Sequence, residues 1–237
     1  MQVYRIAGMN IAVEPRYEYT KKYLADYAVD DTDYELLINI TDEMIDYEQS
    51  LNVKIHGEKL GDAGCESIAV LRVLCDYIIR RGGFFLHCSC LKYRGKAIIF
   101  TAPSGTGKST HAALWKQHFG DSVEIINDDK PLVREDADGF TIYGTPWRGK
   151  HGRGTNTSAP IGAVFFLAQA PENSVEPVDS ITALSLLMQQ TVIPRGREDT
   201  AALVDMLGRL IESVPMHRLY CNISDEAVTT ALSALDF

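Results

Sequence analysis

The chain has 237 residues, 46% hydrophobic and 23% charged, the make-up of a globular protein with one full-sized core and room for a small appended unit. Its 32 acidic against 23 basic residues give a net charge of −9, which argues against a nucleic-acid-binding surface. No apolar run approaches a membrane span and Met1–Arg5 does not open a signal peptide. The five cysteines, an odd number mostly inside apolar stretches, read as free thiols, so a cytoplasmic protein is expected.

In chain order, residues 3–13 alternate loosely around Gly8 and stop at Glu14-Pro15, which predicts a strand or tight hairpin. Residues 34–40 predict a second strand, and Thr41-Asp42-Glu43 opens a short helix over 44–49. The tyrosines at 17, 19, 23, 27, 34 and 47 read as half-buried packing rather than a binding platform. Gly57 and Gly61 mark a break, after which Ile68, Leu71, Val73, Leu74, Ile78 and Ile79 form one face of a helix over 63–81, ended by Gly82-Gly83. A boundary near residue 60 thus separates a small N-terminal α+β unit (1–60) from a larger domain (61–237).

Residues 84–91 predict one strand, with His87 and Ser89 on one face and Cys88 and Cys90 on the other. Tyr93-Arg94-Gly95-Lys96 turns it back into Ala97-Ile98-Ile99-Phe100, predicting a hairpin. Further strands are expected at 122–127, 139–143, 161–167 and 219–223, and helices at 180–190, 199–213 and after Ser224-Asp225. The segment 145–154 is a glycine-rich loop with no acidic residue.

The stretch that organises the chain is Ala102-Pro103-Ser104-Gly105-Thr106-Gly107-Lys108-Ser109-Thr110, set between a strand and His111-Ala112-Ala113-Leu114-Trp115, which begins a helix. Strand, glycine loop, helix is the context of a phosphate-binding P-loop. Backbone N–H groups curl round an oxyanion and the helix start adds unpaired donors. Residues 103–110 would cradle the phosphates, with Lys108 reaching the β- and γ-phosphates and Ser109 taking a Mg²⁺ position. Alanine at 102 departs from the pattern, which has glycine there.

Asn127-Asp128-Asp129 ends an apolar strand downstream of this loop, where a metal-holding carboxylate belongs. Two adjacent carboxylates can divide the work, one on metal and one taking a proton from a hydroxyl; a plain turn is the competing reading. His87, on the strand beside the loop strand, joins them as a candidate ligand, since Mn²⁺ accepts imidazole nitrogen. A zinc site of His87, Cys88 and Cys90 is the weaker idea, because the faces alternate and a fourth ligand is missing. Arg148, Lys150, His151 and Arg153 make a cationic loop suited to charge on a transferring phosphoryl group, and Arg148 is taken as its catalytic candidate.

Phe84-Phe85-Leu86-His87-Cys88-Ser89, the segment 97–110 and Asn127-Asp128-Asp129 together resemble the nucleotide core of ATP-dependent phosphoenolpyruvate carboxykinases and HPr kinase/phosphorylases, over residues 84–170. The resemblance implies an α/β (α+β) fold with a mixed sheet flanked by helices. It implies ATP and Mg²⁺ or Mn²⁺ as cofactors, with Lys108 on the β/γ-phosphates and Ser109 on the nucleotide-bound metal. His87 and one aspartate are implied as ligands of a second metal, and one aspartate as base for a seryl hydroxyl. Homo-oligomerisation is implied by analogy. The chain is far shorter than a carboxykinase and lacks the basic cluster that holds its substrates; it is similar to the small HPr-kinase-like proteins associated with modified-peptide gene clusters.

The expected activity is therefore ATP-dependent phosphoryl transfer to a hydroxyl of a peptide, small protein or small molecule. The alternatives are a non-catalytic nucleotide-binding regulatory or peptide-binding partner and, less favoured, a carboxykinase-type enzyme.

Overall fold

The computed structural model describes residues 1–237, the side chain of His56 excepted. The chain divides into two compact units, Met1–Ile78 and Ile79–Phe237. The division falls one residue before the end of the helix Asp62–Ile79, which the sequence reading groups with the larger domain.

The first unit contains β1 (Gln2–Ile6), β2 (Met9–Val13), α1 (Glu18–Leu24), β3 (Ala28–Val29), β4 (Leu36–Ile38), α2 (Asp42–His56) and most of α3 (Asp62–Ile79). Its sheet runs β3-β1-β2-β4, with β1 and β2 as the hairpin and β4 parallel to β2. Helix α2 runs well past the expected residues 44–49, because its polar C-terminal turns expose their apolar residues: Val53 and Ile55 are both exposed. Two buried carboxylates are fully matched. Glu66 accepts the backbone N–H groups of Arg16 and Tyr17 at the start of α1, at 2.7 and 3.2 Å, and Glu48 meets the Arg72 guanidinium through both oxygens.

The second unit contains β5 (Gly83–Phe85), β6 (Cys88–Tyr93), β7 (Lys96–Thr101), α4 (Lys108–Phe119), β8 (Val123–Asn127), β9 (Leu132–Asp136), β10 (Gly139–Tyr143), β11 (Ser158–Gln169), β12 (Ser174–Pro177), α5 (Ser180–Met188), α6 (Arg197–Ser213), β13 (Met216–Cys221) and α7 (Asp225–Leu232). The strands form a nine-stranded mixed sheet in the order β5-β9-β10-β11-β7-β6-β8, with β13 and β12 continuing from β11. β11 is parallel to both β7 and β13; the remaining pairs are antiparallel. The unit is a mixed α/β fold.

Alternation along β7 and β11 sends successive side chains to opposite faces. Ile98, Phe100, Ala163 and Phe165 pack with Ala112 and Trp115 of α4 and Val228 and Ala231 of α7. Ala97, Ile99, Val164 and Phe166 pack with Ala183 and Leu187 of α5 and Leu203, Met206, Leu207 and Leu210 of α6. Helices thus cover both faces. Among the described residues no helix is long and apolar enough to cross a membrane.

Several expectations are corrected. The single strand over 84–91 is broken at Leu86-His87: β5 pairs with β9, while β6 pairs with β7 and β8. Leu86 N–H instead donates to Pro131 O and His87 N–H to Gln190 O. β9 and β12 were not foreseen, since both carry charged or proline residues that dilute the apolar pattern. The strand expected at 219–223 lies earlier, at Met216–Cys221. Ser224 stands at the N-cap of α7, but its hydroxyl donates to Asn222 rather than capping the helix.

Phe100 is the pivot of one core face, fully buried, with ring centroids 4.5, 5.7 and 6.1 Å from His111, Phe165 and Trp115. Truncating it leaves a cavity that rigid neighbours cannot fill, so Phe100→Ala should cost about 3–5 kcal/mol. Both tryptophans, Trp115 and Trp147, lie in this unit, so their fluorescence in a urea titration reports its unfolding alone. A loss under about 1 kcal/mol would remove Phe100 from that central role.

Candidate functional site

The glycine loop leaves the C-terminal end of β7 and enters α4 at Gly107, whose φ of 114° only glycine adopts without strain. No side chain caps α4, so the first-turn amides are left for an external acceptor. Ala102, where the motif has glycine, is buried in the core beside Ala112 and Trp115, and its φ is not positive. Its methyl fills a core position. The Lys108 ammonium folds back onto the loop, donating to Ala102 O at 2.8 Å and Pro103 O at 3.3 Å. Burial holds its pKa below the usual lysine value, with Cys88, Asp129 and Asp128 acting in the opposite direction. Gln169, at the end of β11, donates to Thr106 O at 3.1 Å and ties the loop down from the far side.

Beyond β8 the chain turns at Asn127-Asp128-Asp129. Asn127 Oδ1 accepts the N–H groups of Asp129 and Lys130, at 2.9 and 2.8 Å, and its amide donates to Thr145. This side-chain turn projects Asp128 and Asp129 forward. The Ser89 hydroxyl donates to Asp128 Oδ1 at 2.5 Å. Asp129 contacts the Lys130 ammonium and stands 3.4 Å from His87 Nε2. Burial pushes the Asp129 pKa up, but His87 and Lys130 outweigh it, leaving the carboxyl below its usual range.

His87, Lys108, Ser109, Asp128 and Asp129 line one cavity of about 380 Å³, together with Lys150 and His151 of the glycine-rich loop. Gly149 lets that loop lie against the site: its φ is +71°, and a Cβ there would come 2.8 Å from Asp129 Cβ. Arg153 reaches Ser109 O at 3.4 Å. Arg148, the expected loop cation, is not among the cavity-lining residues; its Cγ packs beside Gly154. Among the described residues no group of three or more His, Cys, Asp or Glu side chains is set to hold a metal. His87, Asp128 and Asp129 therefore do not close into a ready-made cage, and Cys88 and Cys90 point into the core under α5 and α6 instead.

A second cavity, of about 660 Å³, opens on the other side of the loop. It shares Gly105, Gly107 and Thr110 with the first and is walled by His111, Leu114, Leu167, Gln169, Asn222 and Ile223. Its lining is more apolar, and its outer wall comes from β11, β13 and the segments that follow them.

The model of the family described as "ScmC: SynChlorMet cassette protein ScmC" matches residues 65–226. The chain belongs to the ScmC family. Comparison of this ScmC-family chain with curated proteins finds no match. Among solved structures it is similar to the HPr(Ser) kinase/phosphatase from Coxiella burnetii, with 12% identity over 63% of this chain and 94% of that one and a TM-score of 0.34.

Sequence reasoning did not find Ser89, His111, Gln169, Gln190 or Asn222 as site residues in this ScmC-family chain. Ser89 enters the sequence reading only as the residue that shares a strand face with His87; the glutamines and Asn222 carry no motif, and only the tertiary fold brings them in.

His111 gives this site a measurable signature. The Trp115 indole N–H can only donate, so His111 Nε2 accepts from it at 3.2 Å. Burial pushes the imidazole pKa down to about 4. The unfolded chain takes up this proton near pH 6.5 and the folded chain only near 4, so stability falls as pH drops between them, by about 3 kcal/mol in all. His111→Gln should lose that increment. Urea unfolding of both proteins across this range checks it, and parallel pH curves would refute it.

Proposed function

We propose that the chain is an ATP-dependent phosphotransferase that moves a γ-phosphoryl group to a hydroxyl of a peptide, small protein or small molecule. The observation that carries the reading is the glycine loop between two cavities. One is wide and largely apolar; the other is lined by Lys108, Ser109, Asp128, Asp129 and His87. Such a pair suits a nucleoside on one side and the transferring phosphate on the other, with the β-phosphate against the loop amides.

Lys108 would leave the Ala102 and Pro103 carbonyls and move to the phosphates, exchanging one set of acceptors for a charged one. The donor set fits a cation brought by the nucleotide: Mg²⁺ keeps waters and takes one or two protein oxygens plus phosphate oxygens rather than a full protein cage. Ser109 and Asp129 would hold it, with His87 beside them, and it would supply charge neutralisation between the β- and γ-phosphates. A carboxylate held below the usual range is a better cation partner than proton acceptor, which assigns Asp129 to the cation. Asp128, fixed by Ser89, would take the proton of the acceptor hydroxyl. Lys150 and His151 would approach the phosphoryl group from the loop.

Because the family is described as a cassette protein, products of neighbouring genes are the first acceptors to try. The purified chain, incubated with γ-labelled ATP, Mg²⁺ and those peptides or proteins, should add one phosphate to an acceptor by mass spectrometry. Lys108→Ala should abolish transfer and weaken ATP binding. Asp128→Asn should lower transfer by about 10²-fold or more while ATP binding stays within a few-fold. Full transfer by Asp128→Asn would overturn its assignment as proton acceptor.

A further inference from the structure

The face of β11 that packs against α4 carries Ala163, Phe165 and Leu167, alternate residues of one strand. Two residues on, the same face ends in Gln169, polar and exposed, where the strand leaves the core and enters the wall of the wide cavity. The backbone is fixed at this point. Gln169 pairs with Cys221 of β13, and the next N–H, that of Ala170, donates to Cys221 O at 3.1 Å. β11 lies between two parallel neighbours, β7 and β13, and the carboxyl end of such a strand is where open α/β sheets hold ligands.

Two side-chain amides stand on this wall, and they differ in what they have left to offer. Asn222 is spent. Its amino group donates to Pro171 O at 2.8 Å, and its oxygen accepts from Ser224 and Asn173 at 2.6 and 3.2 Å. Gln169 is half spent. Only an N–H can face the Thr106 carbonyl, so that 3.1 Å contact fixes which end of the amide is which. Its Oε1 is left as an acceptor, and among the described residues no donor meets it.

The covalent order of a nucleotide decides which of its groups comes to this oxygen. With phosphates on the loop amides, the sugar follows directly and the base lies farthest out. Leu114 stands about 10 Å beyond Gly107 along α4, at the depth of a base. Gln169 is bonded to the glycine loop itself, at the depth of a sugar. A sugar hydroxyl is also the donor that a lone amide oxygen needs.

We propose, resting on the reading of the two cavities as one nucleotide site, that Gln169 Oε1 accepts a hydrogen bond from a ribose hydroxyl, which makes the site selective for ribonucleotides over their deoxy forms. One side chain then serves both parts of the ligand: Nε2 holds the loop that meets the phosphates, and Oε1 reads the sugar.

Calorimetric titration of the full chain with Mg²⁺-ADP, 2′-deoxy-ADP and 3′-deoxy-ADP tests this. Wild type should bind one of the deoxy forms about two- to tenfold more weakly than ADP, the worth of one neutral hydrogen bond. Gln169→Leu removes both the loop tie and the acceptor. It should weaken all three ligands and bind ADP and that deoxy form alike. Gln169→Glu keeps an acceptor without the loop tie, so overall affinity should fall while the preference for ADP persists. The ratio between ligands cancels any general loosening of the loop, which a purely structural role would produce. Gln169 is exposed, so both variants should keep the wild-type melting temperature and circular dichroism. Equal binding of all three nucleotides by wild type overturns the sugar contact and leaves the nucleotide site standing. An undiminished preference in folded Gln169→Leu does the same. A wild type that binds none of the three overturns the nucleotide reading and the sugar contact together.

Discussion

The site depends on one constraint, the burial of β7 on both faces. From Ala97 to Phe100 every side chain is fully buried, with β6 antiparallel on one side and β11 parallel on the other. A strand so enclosed has no freedom to shift register, since a one-residue slip would exchange its two packed faces. Its C-terminal end is therefore a fixed point, and the glycine loop starts there. The parallel partner β11 ends beside the same loop, where Gln169 reaches Thr106. Loop geometry is inherited from sheet packing rather than built by the loop itself.

The acidic side of the cavity is assembled by the same sheet from the other direction. β6 brings Ser89, β8 brings Asn127 and its turn, and their pairing sets the Ser89 hydroxyl on Asp128. Asn127 then joins this turn to Thr145, and Thr145 to Lys130, so the cationic loop begins from a fixed anchor. Ser89, Asn127 and Thr145 all spend their side-chain polar groups on partners within the unit, as buried polar groups require. What remains for an outside molecule is the uncapped start of α4 and the space between Lys108 and the aspartates.

Much of the larger unit was legible in the sequence, and for physical reasons. Ala97–Phe100 and Ile161–Leu167 are unbroken apolar runs, and only strands buried on both faces need them. The hairpin at Arg94-Gly95 and the glycine loop announce themselves through residues that local geometry demands. The break at His87 was illegible because the polar residues of Phe84–Leu91, His87 and Ser89, fall on one face of an otherwise apolar run, the pattern of an uninterrupted strand, so nothing local distinguishes one strand crossing a sheet from two strands joined at a corner. Gln190 was illegible for a different reason: a glutamine after a helix is ordinarily solvated, and only the docking of α5 against the sheet places this one on the imidazole. Arg148 shows the converse. The sequence identified a cationic loop, but which cation faces the cavity is decided by the course of the backbone around Gly149 and Gly154.

The central claim is that the glycine loop and its two cavities form one nucleotide site. Backbone amide spectra of the ¹⁵N-labelled chain, recorded while Mg²⁺-ADP is titrated in, test it most directly. The account predicts saturable shifts at Gly105, Gly107, Lys108 and Ser109, with shifts at Asn222 and Ile223 on one side and at Asp129 on the other. Saturation that leaves the amides of Gly105 to Ser109 unmoved would contradict it.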